Sequence, residues 1–357
     1  MSVTTLTRGD LTAALAARQM LIARARLAPA EAIRRLTPLQ GQHAPAPYIA
    51  LAARLDGFAR PDLEAAIAAR QVVKTTVMRS TLHLAAADEY PAYAQLARST
   101  RMRAWRKRYA HLDERAVTAE LRRWLRTPRS NAEIRARVER YEGVRPVEPW
   151  GAIDFIRTLL PLVQLPPAGY WNDRRRPLLT VYPRRLPGLV TAARTVVRRY
   201  LGAFGPASRR DIATWAGIAQ RELAEALAGM RLVAFRDAAG VELLDLPGQP
   251  LPGAGVELPV RLLAHWDQPL LAYADRERIL PAALRAHDLT IVGATTVTVD
   301  GRVAGRWEAR REGERAIVTV TPLVDIGRAA RAAIREEARR TALFCEPDAR
   351  SVSVVGT

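Results

Sequence analysis

Two glutamines one residue apart, Gln40 and Gln42, are the side chains of this 357-residue sequence whose type and spacing most invite chemistry. They stand in LQGQHAPAP (residues 39–47), with Gly41 between them and His43 after them; Pro45 and Pro47 close the stretch. A primary amide offers one acceptor oxygen and two N–H donors without carrying charge. It takes no proton near neutral pH, so neither residue can be a general base. Such a pair can hold a small polar molecule in place, acting through proximity and electrostatics. The competing reading of the same residues is structural. The amides would then cap the end of the preceding helix or bond the proline-rich turn.

Other chemistries find little support. There is no Gly-rich phosphate loop, so no nucleotide cofactor is expected, and no nucleophile elbow. The histidines (His43, His83, His111, His265 and His287) are scattered without metal-ligand spacing, and no metal is expected. Cys345 is the only cysteine, which excludes an intrachain disulfide and fits a reducing compartment. With no signal-peptide pattern at the N-terminus, a cytoplasmic, monomeric protein is the expectation.

The charge is more telling. The formal net charge is +19 and recurs in clusters: Arg101/Arg103/Arg106/Lys107/Arg108, Arg122/Arg123, Arg174/Arg175/Arg176, Arg184/Arg185, Arg198/Arg199, Arg209/Arg210 and Arg310/Arg311. Distributed positive charge of this size favours a polyanion. No long apolar run or basic amphipathic anchor argues for a membrane, which leaves nucleic acid or a generally solvated surface. Lys74 and Lys107 are the only lysines, so part of the arginine excess reflects composition rather than contacts.

The elements that would position these residues follow from local signals. Asp10 can cap a first helix, and Pro29 can start a second. APYIALAARL and RPDLEAAIAAR read as two more, and QVVKTTVMRSTLHLAA is β-branched, with Arg79-Ser80 as a turn. Helices followed by a two-stranded β element are the order of a winged helix. The pattern recurs from TPRSNAEIRARVER, with Ser130 or Asn131 as cap. It recurs again from GPASRRDIATWAGIAQ, with Ser208 as cap, Gly217 as stop and a hairpin at Ala239-Gly240. Past Pro252 the chain reads as mostly strands, with Asp300-Gly301 as a hairpin signal. A closing amphipathic helix follows at DIGRAARAAIREEARRTALFCE. The predicted fold is therefore α+β, with tandem winged-helix units over residues 1–115, 116–190 and 191–250. A C-terminal β-barrel-like domain with that helix packed on it takes residues 251–357.

RQMLIARARLAPAEAIRRLTPLQGQHAPAPYIALAARLDGF followed by MRSTLHLAAADEYP resembles the AlkZ/YcaQ-type winged-helix DNA glycosylases, and GPASRRDIATWAGI, LLAYADRERIL and VDGRVAGRW resemble later landmarks of that family in the same order. The resemblance implies tandem winged helices with a C-terminal β-barrel. It also implies removal of alkylated purines from double-stranded DNA, in some members including cross-links formed by natural products. It further implies a Gln-apolar-Gln or Gln-apolar-Asp catalytic motif, which falls here on Gln40-Gly41-Gln42. The third position is Gln, as in the AlkZ-like branch. The central one is Gly, which predicts a more mobile loop.

Under that resemblance the amides acquire a task. A cationic N7- or N3-alkylpurine is already a good leaving group, so Gln40 and Gln42 need only hold a water against C1′. With only two lysines available for a Schiff base, water is the expected nucleophile and the enzyme is monofunctional. His43 could support the pair or be a solvated turn residue. Arg79, Thr81 and His83 on the first wing, Arg276 and Arg278 in LLAYADRERIL, and Arg302 at a hairpin tip are the candidate DNA contacts. Trp266 and Tyr273 read as core. The catalytic stretch reads as a short loop rather than a deep cleft, so limited or no base flipping is expected. The alternatives are a non-enzymatic winged-helix regulator that reads bases through a major-groove helix, and an architectural protein that binds DNA without preference.

Overall fold

The computed structural model describes residues 4–145, 151–173 and 175–356; Arg174 of the basic triplet lies outside them. The chain opens with β1 (Thr5–Leu6) and α1 (Arg8–Arg18). The helix is capped by Thr7, not Asp10. Asp10 sits three residues in and returns the bond to Thr7, which closes a capping box.

The first winged helix runs α2 (Pro29–Leu36), β2 (Leu39–Gln40), α3 (Ala46–Ala52), α4 (Arg60–Ala68), β3 (Val72–Thr76) and β4 (Leu82–Ala86). A long helix, α5 (Tyr90–Arg108), links it to the second unit. That unit is α6 (Glu114–Trp124), β5 (Arg129–Ser130), α7 (Asn131–Val138), α8 (Gly151–Leu159), β6 (Leu162–Gln164) and β7 (Leu178–Val181). The third runs α9 (Leu189–Phe204), α10 (Arg209–Ala216), α11 (Gln220–Leu227), β8 (Val233–Asp237) and β9 (Glu242–Asp245). The expected caps at Ser130 and Ser208 and the left-handed stop at Gly217 are all in place.

The first two units share one six-stranded sheet, ordered β2-β4-β3-β6-β7-β5. The seam is the antiparallel pairing of Lys74 with Gln164 and Thr75 with Val163. This fusion holds the two wings in one body. In the third unit β1 pairs in parallel with β8, so the N-terminal segment completes that sheet. The central helix α9 buries Ala192, Ala193, Val196, Val197, Tyr200, Leu201 and Phe204. These fall at helical spacing on one face, and α9 packs against α1, α2, α5 and α11.

The C-terminal region holds β10 (Arg261–Leu263), α12 (Gln268–Leu271), α13 (Asp288–Gly293), β11 (Thr296–Val299), β12 (Arg302–Glu312), β13 (Arg315–Pro322), α14 (Arg328–Cys345) and β14 (Ser351–Val355). Its strands form an open sheet in the order β10-β11-β12-β13-β14, not the expected β-barrel. Closure would require β10 to pair with β14. Instead, β14 adds in parallel to β13, and α14 lies against β10, β13 and β14. Ile334, Ala338 and Ala342 of α14 are fully buried. The helix covers the face that a barrel would have to cover with its own strands. The segment after β10 was expected to be strand-like, but it turns into α12 at Pro269.

Candidate functional site

Pairing register places the glutamines. Gln40, at the end of β2, stands opposite His83 of β4, which stands opposite Thr75 of β3. Strand alternation puts these three on one face, and Leu39, Leu84 and Lys74 on the other. Gln40 is 6% exposed. Its Oε1 accepts the Gly41 N–H at 2.9 Å and the Gln42 N–H at 3.4 Å. A backbone N–H can only donate, so this bond fixes which end of the Gln40 amide is oxygen. The other end, Nε2, donates to Gln42 Oε1 at 3.2 Å. Thus the buried glutamine orients the exposed one. Gln40 does bond the turn, as the structural reading supposed, but it does not cap α2. Among the described residues the Gln42 side chain has no bond beyond the one it accepts from Gln40.

Gln42 lines a cavity of about 330 Å³ between the two wings. The expectation of a shallow loop without a cleft therefore fails. The fused sheet and α5 wall off a space that no local pattern announced. Along α5, Tyr90, Ala94, Arg98 and Arg101 face the cavity at helical spacing; Asp154 and Arg157 of α8 complete its charged lining. The expected extra mobility at Gly41 also lacks a structural basis. Its N–H donates to Leu82 O at 2.8 Å, and the residue is buried.

The C-terminal segment His265–Gln268 braces the loop from behind. Gln268 Nε2 donates to Pro38 O at 2.6 Å. Asp267 forms a bidentate pair with Arg54, at 2.5 and 3.1 Å, and both side chains are 1% exposed. Just before Asp267, Trp266 takes a left-handed backbone, φ 50°, which bulky residues rarely adopt. His43 meets His265 edge-on, with ring centroids 4.8 Å apart. Although His43 is largely exposed, the packing around its ring and the neighbouring His265 hold its pKa below the ordinary histidine value.

The candidate DNA contacts divide. Arg79 stands at the tip of the first wing, where Arg79 and Ser80 have φ 53° and 56°. It is solvent-exposed yet ringed by protein, as in a groove; burial and then nearby Arg276 push it down to about 10. Arg276 is half-buried, with Nε donating to Leu270 O at 2.8 Å. Thr81 closes the wing turn by donating to Met78 O. The other three pack or bond against the protein. His83 is fully buried; its Nδ1 donates to Thr81 O at 2.9 Å, and its Nε2 has no partner among the described residues. Burial first, then Arg79, depresses its pKa to about 3. Arg278 is 8% exposed, stacks 4.4 Å over Tyr273 and donates to Pro206 O. Arg302 turns inward, toward the carbonyls of Glu277 and Leu280 at 3.4 Å. The tip beside it docks on the protein, since a Cβ on Gly301 would lie 2.7 Å from Thr12 Cγ2.

Arg54, Arg98, Arg157 and Gln268 were not singled out from sequence. Only Arg98 had a local signal, its helical spacing from Arg101. Among the described residues no His, Cys, Asp and Glu group gathers into a metal site, and no helix is long and apolar enough to cross a membrane.

Three winged helices, an open C-terminal sheet and a Gln-x-Gln turn at the end of β2 define a winged-helix protein of the family described as DNA glycosylase AlkZ-like. That family matches residues 33–344, and the chain belongs to it. Among solved structures it is similar to the Streptomyces sahachiroi DNA glycosylase AlkZ, at 23% identity, with 99% of this chain and 100% of that chain covered and a TM-score of 0.81. At that identity the likeness is one of fold. No curated protein sequence matches the chain.

Proposed function

We propose that this protein is a monofunctional DNA glycosylase that hydrolyses the N-glycosidic bond of cationic alkylated purines, N7-alkylguanine first among them. One observation carries the reading. A buried Gln40, pinned by the Gly41 N–H, dictates the orientation of an exposed Gln42 at the lip of a cavity. Gln42 Oε1 has a second lone pair, which holds one water hydrogen and aims the water oxygen at C1′. The C1′–N9 bond breaks, and its electron pair neutralises the cationic ring. Water oxygen bonds C1′ and its proton passes to solvent. The products are a neutral alkylated base and an abasic site. The amides contribute position and fixed dipoles. Lys74 is unsuited to a Schiff base at this site, because it lies on the sheet face opposite Gln40.

Departure of a neutral base such as uracil or hypoxanthine calls for protonation that an amide pair does not supply. The carboxylate lining the cavity, Asp154, is ion-paired to Arg157 at 2.7 Å. Neutral lesions should therefore be poor substrates, and bulky cationic N7 adducts, including cross-links, good ones.

The regulator reading fares worse. A winged-helix regulator presents its third helix to the major groove. In the first unit that helix, α4, has its N-terminal Arg60 stacked 3.7 Å from the Trp171 ring and bonded to Phe344 O. In the second, α8 is packed between α5 and α7. In the third, α11 exposes Glu225 beside Arg221, and Glu222 is half-buried. The test is single-turnover release of free base from duplex DNA bearing N7-methylguanine. Release that vanishes in Gln42→Ala supports the proposal. Tight binding to one operator sequence without base release would replace it.

A further inference from the structure

The cavity beside Gln42 is built for an anion. Arg98, Arg101 and Arg157 line it, against the single carboxylate of Asp154. Two of the cations are matched within the protein. Arg157 pairs with Asp154 at 2.7 Å, and Arg98 lies 3.7 Å from Glu114 and donates to Thr158 O. Arg101 has no carboxylate in ion-pair range among the described residues. Its Nη2 donates to Arg157 O at 3.3 Å, and its buried Nε is without a partner among the described residues, as is Nε of Arg157. Burial, and then the like charge of Arg157, push the Arg101 guanidinium down to about 10. A half-buried guanidinium crowded by a second one is an unfavourable arrangement in the free protein. An anion between them reverses its sign, and planar N–H forks suit phosphate oxygens in particular. The lining offers a base little to stack on. Tyr90 is the only aromatic ring in it, and its hydroxyl is spent on Leu162 O.

We propose that this cavity binds one phosphodiester of the DNA backbone between Arg101 and Arg157, and that this contact sets the register of the lesion sugar against Gln42. The proposal rests on the DNA reading above but not on catalysis. The site lies between the two wings, so a strand crossing the first wing toward Gln42 passes its mouth. Arg101 and Arg157 are positioning residues here, because they touch the phosphate and not the reacting atoms.

Two measurements test this on the full-length chain. The first is the salt dependence of binding to undamaged duplex, which needs no excision. Losing one phosphate contact should make the log–log slope shallower by about 0.9 in Arg101→Gln, and Arg101→Lys should restore most of it. The second is a scan in which a neutral methylphosphonate replaces one phosphate at a time around N7-methylguanine. In the wild type one position near the lesion should cut single-turnover excision about tenfold, and in Arg101→Gln that position should no longer stand out. Inorganic phosphate serves as the comparison ligand. An unchanged salt slope in a folded Arg101→Gln protein would overturn the proposal. So would loss of inorganic-phosphate binding with an unaltered methylphosphonate profile, which would mark a site for free phosphate only. If Arg101→Gln does not fold, Arg157→Gln and the wild-type scan decide: a scan with no distinguished position refutes the register. Absent base release with the expected slope change would sink the glycosylase reading and leave the phosphate site standing.

Discussion

The first and third winged helices share the order of three helices and a closing hairpin but use the junction ahead of their second helix differently. In the third unit Ala207 bridges Leu244, and Ser208 then closes a capping box with Asp211. The second unit does the same with Ser130 and Glu133. In the first unit Gln40 pairs with His83, the Gln-Gly-Gln-His turn follows, and α3 begins at Ala46, with Pro45 in the cap position and no side-chain cap at all. A Ser cap is worth about 1 kcal/mol. The first unit forgoes it at the one junction where the chain places an exposed amide beside a cavity. The two sister units serve as the internal reference. They indicate what this junction looks like when it has only a structural task.

The two units are also braced alike from outside. Arg54–Asp267 ties the first to the C-terminal region, and Arg18–Asp245 ties the third to the N-terminal helix; each pair is bidentate and buried. Removing one partner of such a pair leaves an uncompensated buried charge, which costs about 3–5 kcal/mol. Asp267→Ala and Asp245→Ala should therefore lose similar stability in chemical denaturation. They should differ in function. Only Asp267 belongs to the segment that supports the glutamine turn, so Asp267→Ala should also slow excision under conditions where it remains folded. Equal excision losses in the two variants would mean that the brace acts on the fold alone.

The next contrast is at the junction itself. Gln42→Ala should lower the single-turnover rate by about 10²–10³, the range for removing one preorganised polar group at a reacting centre. It should leave DNA affinity within a few fold, because the amide carries no charge to phosphate. Gln40→Ala should slow the same step and also loosen the turn, since it removes the side-chain oxygen on which the Gly41 and Gln42 N–H groups converge. Ser208→Ala, at the matching point of the third unit, should cost about 1 kcal/mol of stability and nothing in rate. If Gln42→Ala behaves like Ser208→Ala, the first junction is structural too.

How far the sequence alone could carry this comparison depends on the range of each signal. Ser208, Gly217 and Asp300-Gly301 act within a few residues, and all three were read correctly. Barrel closure depends on whether β10 meets β14, nearly ninety residues apart in the chain, and no local pattern encodes that. Arg276 and Arg278 are two residues apart and look alike in sequence, yet one is half-buried and the other is stacked on Tyr273. The turn that separates them has neither helical nor strand periodicity. His83 looked like a wing residue because it alternates with Leu82 and Leu84. The fused six-stranded sheet buries both faces at that point. The glutamine pair was visible because of its composition, but the division between a buried orienting amide and an exposed one needed the register.

His83 also separates the units by pH. Its folded pKa is depressed to about 3, by burial and then Arg79, while the unfolded chain takes up the proton near 6.5. Below pH 6.5 the unfolded state binds a proton that the native state refuses, so stability falls with pH, by about 1.4 kcal/mol per unit, until about pH 3. Above pH 6.5 the residue contributes no pH dependence. The third unit has Leu244 in its corresponding bridge. His83→Leu should copy it and flatten the acid limb of the denaturation profile between pH 6.5 and 4. An acid limb of unchanged slope would place the sensitivity elsewhere, with His43 next to be tested because its pKa is shifted in the same direction.

The smallest expected effect concerns Gly41. Glycine in a catalytic motif suggests a conformation that other residues cannot reach, or a need for motion. Neither holds here. Gly41 is not among the residues with positive φ, and its N–H is tied to Leu82 O. A Cβ built on it would lie 3.5 Å from His83 C and Leu84 N, which is ordinary van der Waals contact. Gly41→Ala should therefore fit without strain. By restricting the unfolded chain it should raise stability by about 0.4–1 kcal/mol. The bonds that orient Gln42 run through Gln40 and the backbone, and the substitution leaves both in place, so excision should stay within a few fold of wild type. A thermal melt and a single-turnover rate on N7-methylguanine DNA decide the point. A tenfold loss of rate with stability intact would mean that the loop passes through a backbone state open only to glycine. In that case the static orientation of Gln42 by Gln40 would not be the whole of its placement.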